Sequence, residues 1–266
     1  VLLFFIPYLV IGIYTVGIKK LAVFTLIGYI TALICEAISI RYSFPFGLYH
    51  YSPEVIQKEL SIFGVPIWDS VSFVFLCFFP YQIAILLSSP VVRVSKFDFQ
   101  AADTYKIRHS LKVILCATAL MVSIDMITDP ITLQGKKWFL GELYYYPNGG
   151  SHFGVPVSNY FGWAFTGFVT LGIYVLLDRY YLKNLKSFNK KLPYIISKPL
   201  LSLFVYFGIV AFKAGLYELG VSGAITFFLP VFLIFTFLFS KKNLSLKKCI
   251  KLHLKDFPKS RLKKLI

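Results

Sequence analysis

"HFGVPVSNYFGW", residues 152–163, sets a Gly-Val-Pro, an Asn and several aromatics at the head of an otherwise apolar run. The chain says nearly the same at 62–73, "IFGVPIWDSVSF". With Phe63 laid on Phe153 the two stretches share Phe-Gly-Val-Pro, and Asp69 and Asn159 each fall five residues past the motif glycine. The likeness extends upstream. Glu36 precedes "GLYHY" (47–51) in the first copy, and Asp125 and Asp129 precede "GELYYYP" (141–147) in the second. Each copy therefore reads as an acid near the end of one span, a Gly-aromatic loop, and a Gly-Val-Pro opening the next span. Glycine permits a sharp turn, and a following proline suits a helix's first turn, where its missing N–H is not needed. A duplicated helical hairpin is the economical reading, its copies parallel repeats of the kind found in carriers among other membrane proteins.

Composition sets the class. Of 266 residues 57% are hydrophobic and only 15% charged, with a mean hydropathy of +0.71. Soluble domains carry about 25% charged residues, and runs near the ~20 apolar residues that cross a bilayer recur along this chain. The expected fold is an all-α polytopic membrane protein of about seven transmembrane helices: 1–18, 21–40, 64–92, 110–129, 154–178, 199–219 and 221–240. The duplicated hairpins take up about 21–92 and 110–180. Residues 1–240 form the membrane domain and 241–266 a basic amphipathic tail. Val1–Gly17 lacks the charged flank and cleavage motif of a signal peptide. With no initiator Met and a start inside an apolar run, the expectation is that a leading helix has been trimmed.

The formal charge of +16 does not mark a nucleic-acid protein, because of where it lies. Lys19 and Lys20, five basic residues between Arg93 and Lys112, six between Arg179 and Lys198 and ten between Lys241 and Lys264 all fall on one side of a seven-span chain. The other side holds Arg41, Lys58, Lys136 and Lys137. The positive-inside rule then makes the basic loops and tail cytoplasmic, in a multi-pass protein of the cell membrane. Leu and Ile interspersed with Lys in the tail suit a bilayer with an anionic inner leaflet. Cys35, Cys77, Cys116 and Cys249 show neither C-x-x-C spacing nor a disulfide framework, and no metal site is expected.

Carboxylates inside membrane spans are functional candidates, since each costs ~2.5–3.5 kcal/mol to insert. Asp125 and Asp129 share a helix face at i, i+4. Two such groups in apolar surroundings do not both ionise easily, which leaves an acid beside a base for general acid/base work. Glu36 and Asp69 are the further catalytic candidates. Simpler roles remain open: Glu36 pairing with Arg41, and Asp129-Pro130 ending a helix. Asn159, Trp163, Tyr145, Tyr49, Trp68, Tyr160 and Trp138 are candidates to line a substrate groove, since aromatic faces attract cations. Part of this set is equally an interfacial belt. Four histidines are too few for di-iron oxygen chemistry, although His50 and His152 lie in the loops beside the candidate acids. No Walker A, G-x-G-x-x-G or G-x-S-x-G motif is present, so no cofactor is expected.

Taken together, "MVSIDMITDP" (121–130), "GGSHFGVPVSNYFGW" (149–163) and "EAISIRYSFPFGLYHY" (36–51) with "FGVPIWD" (63–69) resemble the membrane-bound carotenoid biosynthesis protein family over residues 30–240. That family includes carotenoid 1,2-hydratases and bisanhydrobacterioruberin hydratase. The resemblance implies water addition across the terminal C1=C2 double bond of an acyclic carotenoid, without a redox cofactor. Other carotenoid enzymes would be the protein partners. A carrier for a small solute or proton and a carotenoid cyclase are the alternatives; a prenyl-transferring enzyme would want an Asp-rich D-D-x-x-D motif, which is absent. The charge pattern makes one outcome checkable at once. Ser95→Cys and Ser187→Cys should resist a membrane-impermeant thiol reagent applied to intact cells, and labelling of either overturns the orientation.

Overall fold

A computed structural model describes residues 1–95, 98–101, 104–135 and 142–182, with 233, 236–237 and 239–242 further on. The expected spans 199–219 and 221–240 and the tail 241–266 lie outside the described residues except at those few positions, as do Trp138 and Ser187. The helices are α1 (Leu2–Val16), α2 (Ile18–Tyr42), the short α3 (Pro53–Lys58), α4 (Ile67–Ser88), the short α5 (Tyr105–Arg108), α6 (Leu111–Thr132) and α7 (Val157–Leu177). A π turn, Asp178–Leu182, continues α7. Among the described residues four helices are long and apolar enough to cross a membrane: Ile18–Tyr42, Ile67–Ser88, Leu111–Thr132 and Val157–Leu182. At ~1.5 Å per residue each exceeds the ~30 Å of a hydrocarbon core.

Where a single span 1–18 was expected to end in a basic loop, helix α1 covers Leu2–Val16 and is apolar throughout. At Gly17, φ 86, the chain turns straight into α2 with no loop between. The Tyr8 hydroxyl meets Thr25 Oγ1 at 2.7 Å, and Gly12 lies against Leu21, so α1 folds back along α2. Lys20, expected in a basic loop, is instead buried. Its ammonium lies 2.5 Å from Asp178, whose other carboxylate oxygen meets His109 Nε2 at 2.9 Å. This ion cluster ties α2, the end of α7 and the α5–α6 junction together at the basic end of the bundle. A second correction falls beside it: the stretch after α4, expected as the end of the span and then a loop, is a β hairpin, β4 (Val91–Ser95) with β5 (Asp98–Ala101).

Helices α2, α4, α6 and α7 pack in a ring, each on the next, with α7 returning to α2. Lipid is as apolar as leucine, so contact between such helices depends on close packing and hydrogen bonds rather than on the hydrophobic effect. Small residues supply the close packing. Gly28 lies against Val74 and Thr170, and Gly167 against the Met121 sulfur. Aromatic edges fill the centre: Phe24 meets Phe78 at 5.3 Å and Tyr174 at 4.9 Å. Helix α1 covers α4 through Phe4 on Phe75 and Tyr8 on Phe78.

The two Phe-Gly-Val-Pro stretches take up the same backbone. Strands β2 (Ser61–Ile62) and β3 (Val65–Pro66) pair antiparallel with Ile62 opposite Val65, and His152 bridges Val155 in the same way. In both turns the two central residues have positive φ: Phe63 53 and Gly64 77, Phe153 50 and Gly154 87. That is the signature of a two-residue type I′ hairpin. It is uncommon for phenylalanine. Pro66 and Pro156 stand one residue earlier than first-turn prolines, as the extended residues just before α4 and α7. The loops carrying these turns meet each other: β1 (His50–Tyr51) pairs with β6 (Tyr144–Tyr145), His50 opposite Tyr145 and Tyr51 opposite Tyr144.

One close approach between helix and loop at this end is Gly162 on the Phe46 backbone, where an added Cβ would sit 2.6 Å from Phe46 Cα. Gly162→Ala is therefore expected to cost about 1–3 kcal/mol by overpacking, read as a lower thermal midpoint in detergent. Gly172→Ala, with nothing among the described residues within 4 Å of its added Cβ, serves as the control. Equal midpoints would show that the loop does not pack on α7 in this way.

Candidate active site

Asp125 and Asp129 sit one turn apart on α6, 0% and 3% exposed. A carboxylate so placed needs hydrogen-bond donors in place of water. Asn159, in the first turn of α7, supplies them: its Nδ2 lies 2.7 Å from Asp125 Oδ2 and 2.7 Å from Asp129 Oδ2. An amide nitrogen has two hydrogens, so one side chain serves both acids. Asp129 has further donors. Tyr144 donates to its Oδ1 and Tyr146, at 3.0 Å, to its Oδ2. Thr132 adds a contact to the Tyr144 hydroxyl at 3.0 Å. Asp125 has no such set, and its Oδ1 is buried without a partner among the described residues. Two neighbouring acids thus differ in surroundings, one fully bonded and one half-bonded.

The α2–α4 side holds a second pair. Ser70 donates to Glu36 Oε2 at 2.6 Å, and Tyr51 donates to Asp69 Oδ2 at 2.7 Å. Glu36 is buried and Asp69 half-buried. Arg41 does not pair with Glu36. Its guanidinium binds the Ala37 and Phe63 carbonyls at 2.8 and 2.9 Å, holding the first type I′ turn onto the end of α2. Between the two pairs stands Tyr49, whose ring lies 5.4 Å from Tyr51, 5.8 Å from Tyr144 and 6.2 Å from Tyr146. Burial pushes its hydroxyl well above the ordinary tyrosine range, and the charges of Glu36, Asp69 and Asp129 push the same way. Burial does the same to Tyr51, Tyr144 and Tyr146, reinforced by Asp69 for the first and Asp129 for the others. All four hydroxyls therefore keep their protons and serve as donors.

Of the sequence candidates, Glu36, Asp69, Asp125, Asp129, Asn159 and Tyr49 come together at this end. Trp163, one turn along α7 from Asn159, stacks on Phe73 at 4.9 Å and 24°. The Tyr160 hydroxyl contacts His152 Nδ1 at 2.5 Å, and burial lowers the pKa of that imidazole. Two candidates are placed elsewhere. Tyr145 turns its ring to His50 at 5.7 Å on the far face of the β1–β6 ribbon and is 41% exposed. Side chains alternate along a strand, so it is Tyr144 and Tyr146 that reach the acids. Trp68, in the first turn of α4, is 40% exposed. Sequence reading missed Ser70, Thr132 and the donor roles of Tyr51, Tyr144 and Tyr146. The alternation in "ELYYYP" was the available signal for the last two. Among the described residues no three His, Cys, Asp or Glu side chains are arranged to hold a metal ion.

Buried acids of unequal bonding, ringed by neutral hydroxyls and an aromatic stack, form a place to move a proton in apolar surroundings. A family model described as carotenoid biosynthesis protein matches residues 1–237. The chain belongs to the carotenoid biosynthesis protein family. Searches of curated proteins and of solved structures give no significant match.

In this carotenoid biosynthesis protein the Asn159 bridge carries a direct test. Asn159→Leu leaves two buried carboxylates short of a donor, at about 1–3 kcal/mol for each unsatisfied group. The thermal midpoint in detergent is expected to fall. Asp125→Asn added to Asn159→Leu should restore part of the loss, because one carboxylate is then gone. Additive losses in the double variant would mean that the two side chains do not interact.

Proposed function

We propose that this protein is a carotenoid hydratase, adding water across the terminal C1=C2 double bond of an acyclic carotenoid end group without a cofactor. The observation that carries the reading is the unequal bonding of Asp125 and Asp129. Three side-chain donors, Tyr144, Tyr146 and Asn159, converge on Asp129 and favour it as the fixed anion. Of these three donors Asp125 takes the Asn159 amide alone, and one of its buried oxygens meets no donor among the described residues, which suits it to hold and deliver the proton.

Protonated Asp125 gives its proton to C2. The π electron pair forms the new C–H bond and leaves a tertiary cation at C1. The Asp129 charge and the Trp163 face hold that cation, the charge being in place before it develops. Water then adds at C1, and its spare proton passes to a carboxylate of the α2–α4 side, Glu36 or Asp69. Atoms and charge balance, with no electron acceptor needed.

We further read the two halves as a duplicated hairpin within about seven spans, the basic loops and tail facing the cytoplasm and an anionic inner leaflet. The shared type I′ turns support this reading.

A pigment assay tests the reaction. Expressed in a host that accumulates lycopene or another unhydrated acyclic carotenoid, the protein should add the mass of one water per end group, with or without oxygen. Asp125→Asn should remove the product, a loss of at least ~10²-fold, while the protein stays in the membrane. An isomer of unchanged mass would make the protein a cyclase, and an oxygen-dependent product a hydroxylase. Unchanged pigment together with solute uptake into vesicles would make it a carrier.

A further inference from the structure

A tyrosine hydroxyl has one hydrogen to give and two lone pairs to receive. Tyr51 spends its hydrogen on Asp69 Oδ2, 2.7 Å away. The Tyr49 hydroxyl lies 3.3 Å from the Tyr51 hydroxyl. With the Tyr51 hydrogen committed, Tyr49 is the donor in that contact, and its own oxygen is left to accept. The three groups therefore point one way, Tyr49 to Tyr51 to Asp69. The first contact is long for an O–H···O bond, so the Tyr49 hydroxyl has freedom to turn. Tyr49 is buried and feels the charges of Glu36, Asp69 and Asp129 together, which puts it between the two acid pairs. Asp69 is half-buried and stands in the first turn of α4, next to the loop end of the bundle, which is the nearest route for a proton to leave. Glu36 has no comparable path. Its donor Ser70 is fully buried and bonded to no second hydroxyl among the described residues.

We propose that Tyr49, Tyr51 and Asp69 form a proton relay that takes the proton from the attacking water, with Asp69 as its terminal base. The relay rests on the hydratase reading and decides the point which that reading leaves between Glu36 and Asp69. As the water oxygen forms its bond to C1, its O–H bond breaks toward the Tyr49 oxygen. The Tyr49 hydrogen moves to Tyr51 and the Tyr51 hydrogen to Asp69. Each tyrosine ends as it began, neutral with one hydrogen, and nothing is oxidised. Asp69 then loses its proton to solvent and Asp125 regains one, so turnover consumes none. Burial of the two phenols fits a concerted hop, because neither stands as a phenolate between turnovers.

The test uses the full-length protein in membranes with an acyclic carotenoid in deuterated buffer, following two signals. One is hydrated product. The other is deuterium at C2 of the recovered, unhydrated substrate, which reports protonation followed by return of the cation. Tyr51→Phe and Tyr49→Phe keep the rings and remove only the hydroxyls. Both, and Asp69→Asn, should lose hydration by about 10²-fold or more yet still exchange deuterium into the substrate. Asp125→Asn should do neither. Retained deuterium exchange also shows that the variants are folded and bind substrate. Hydration by Tyr51→Phe at the wild-type rate overturns the relay while leaving the hydratase standing. Loss of both signals in Tyr51→Phe overturns it too, because the hydroxyl then serves the acid step or the fold. A wild-type protein that makes no hydrated product overturns the hydratase reading and the relay with it.

Discussion

Asn159 gives both hydrogens of one amide to two carboxylates on the neighbouring helix. Much of the acid end depends on that bridge. Buried carboxylates cost several kcal/mol each unless donors replace their water, and between apolar helices few donors exist. Those present come from specific places: one amide at the start of α7, one serine at the start of α4, and tyrosines from the joined loops. Loop conformation and helix spacing are thereby coupled to the acids. Neither loop is free to move without leaving a charge or an acid proton unsatisfied.

The backbone serves the same end. Two type I′ turns hold Phe63 and Phe153 at positive φ, a conformation that costs on the order of 1–3 kcal/mol each. The placement of the next helix explains why each turn is kept. Helices α4 and α7 start so that Asp69 and Asn159 fall in the first helical turn, at the level of Glu36, Asp125 and Asp129. Both phenylalanine rings project from the surface, 69% and 42% exposed. Exposed aromatics at that depth suit the headgroup layer of a bilayer. At the other end the Lys20–Asp178–His109 cluster closes the bundle with charge. Between the two ends glycines and aromatic edges bring the helices together.

Membrane class and the repeated motif were legible in the chain itself, because a bilayer demands long apolar runs and a type I′ turn demands glycine. The polar residues that meet at one end of the bundle were also legible as candidates, since carboxylates in such runs are costly enough to stand out. Asp125, Asp129, Glu36 and Asp69 were visible for that reason, and Asn159 by its place opposite Asp69 in the repeat. The family match extends over residues 1–237. Helix boundaries were less legible. Gly17 turns α1 back on α2 within one residue, and hydropathy averages over such a corner.

Only the tertiary structure decided which hydroxyl serves which acid. Three consecutive tyrosines, Tyr144 to Tyr146, are chemically equal in sequence. Pairing β6 with β1 turns the outer two toward Asp129 and the middle one toward His50. Arg41 likewise looked like a partner for Glu36, five residues away, but the turn at Phe63 offers it a carbonyl and Ser70 fills the carboxylate instead. The difference between Asp125 and Asp129 is of the same kind. Identical side chains one helical turn apart acquire different surroundings because the β1–β6 ribbon passes over one and not the other. Residue types and their spacing are local properties, which a sequence carries. Donor and acceptor pairing across helices depends on where distant segments meet in space, which no local pattern encodes.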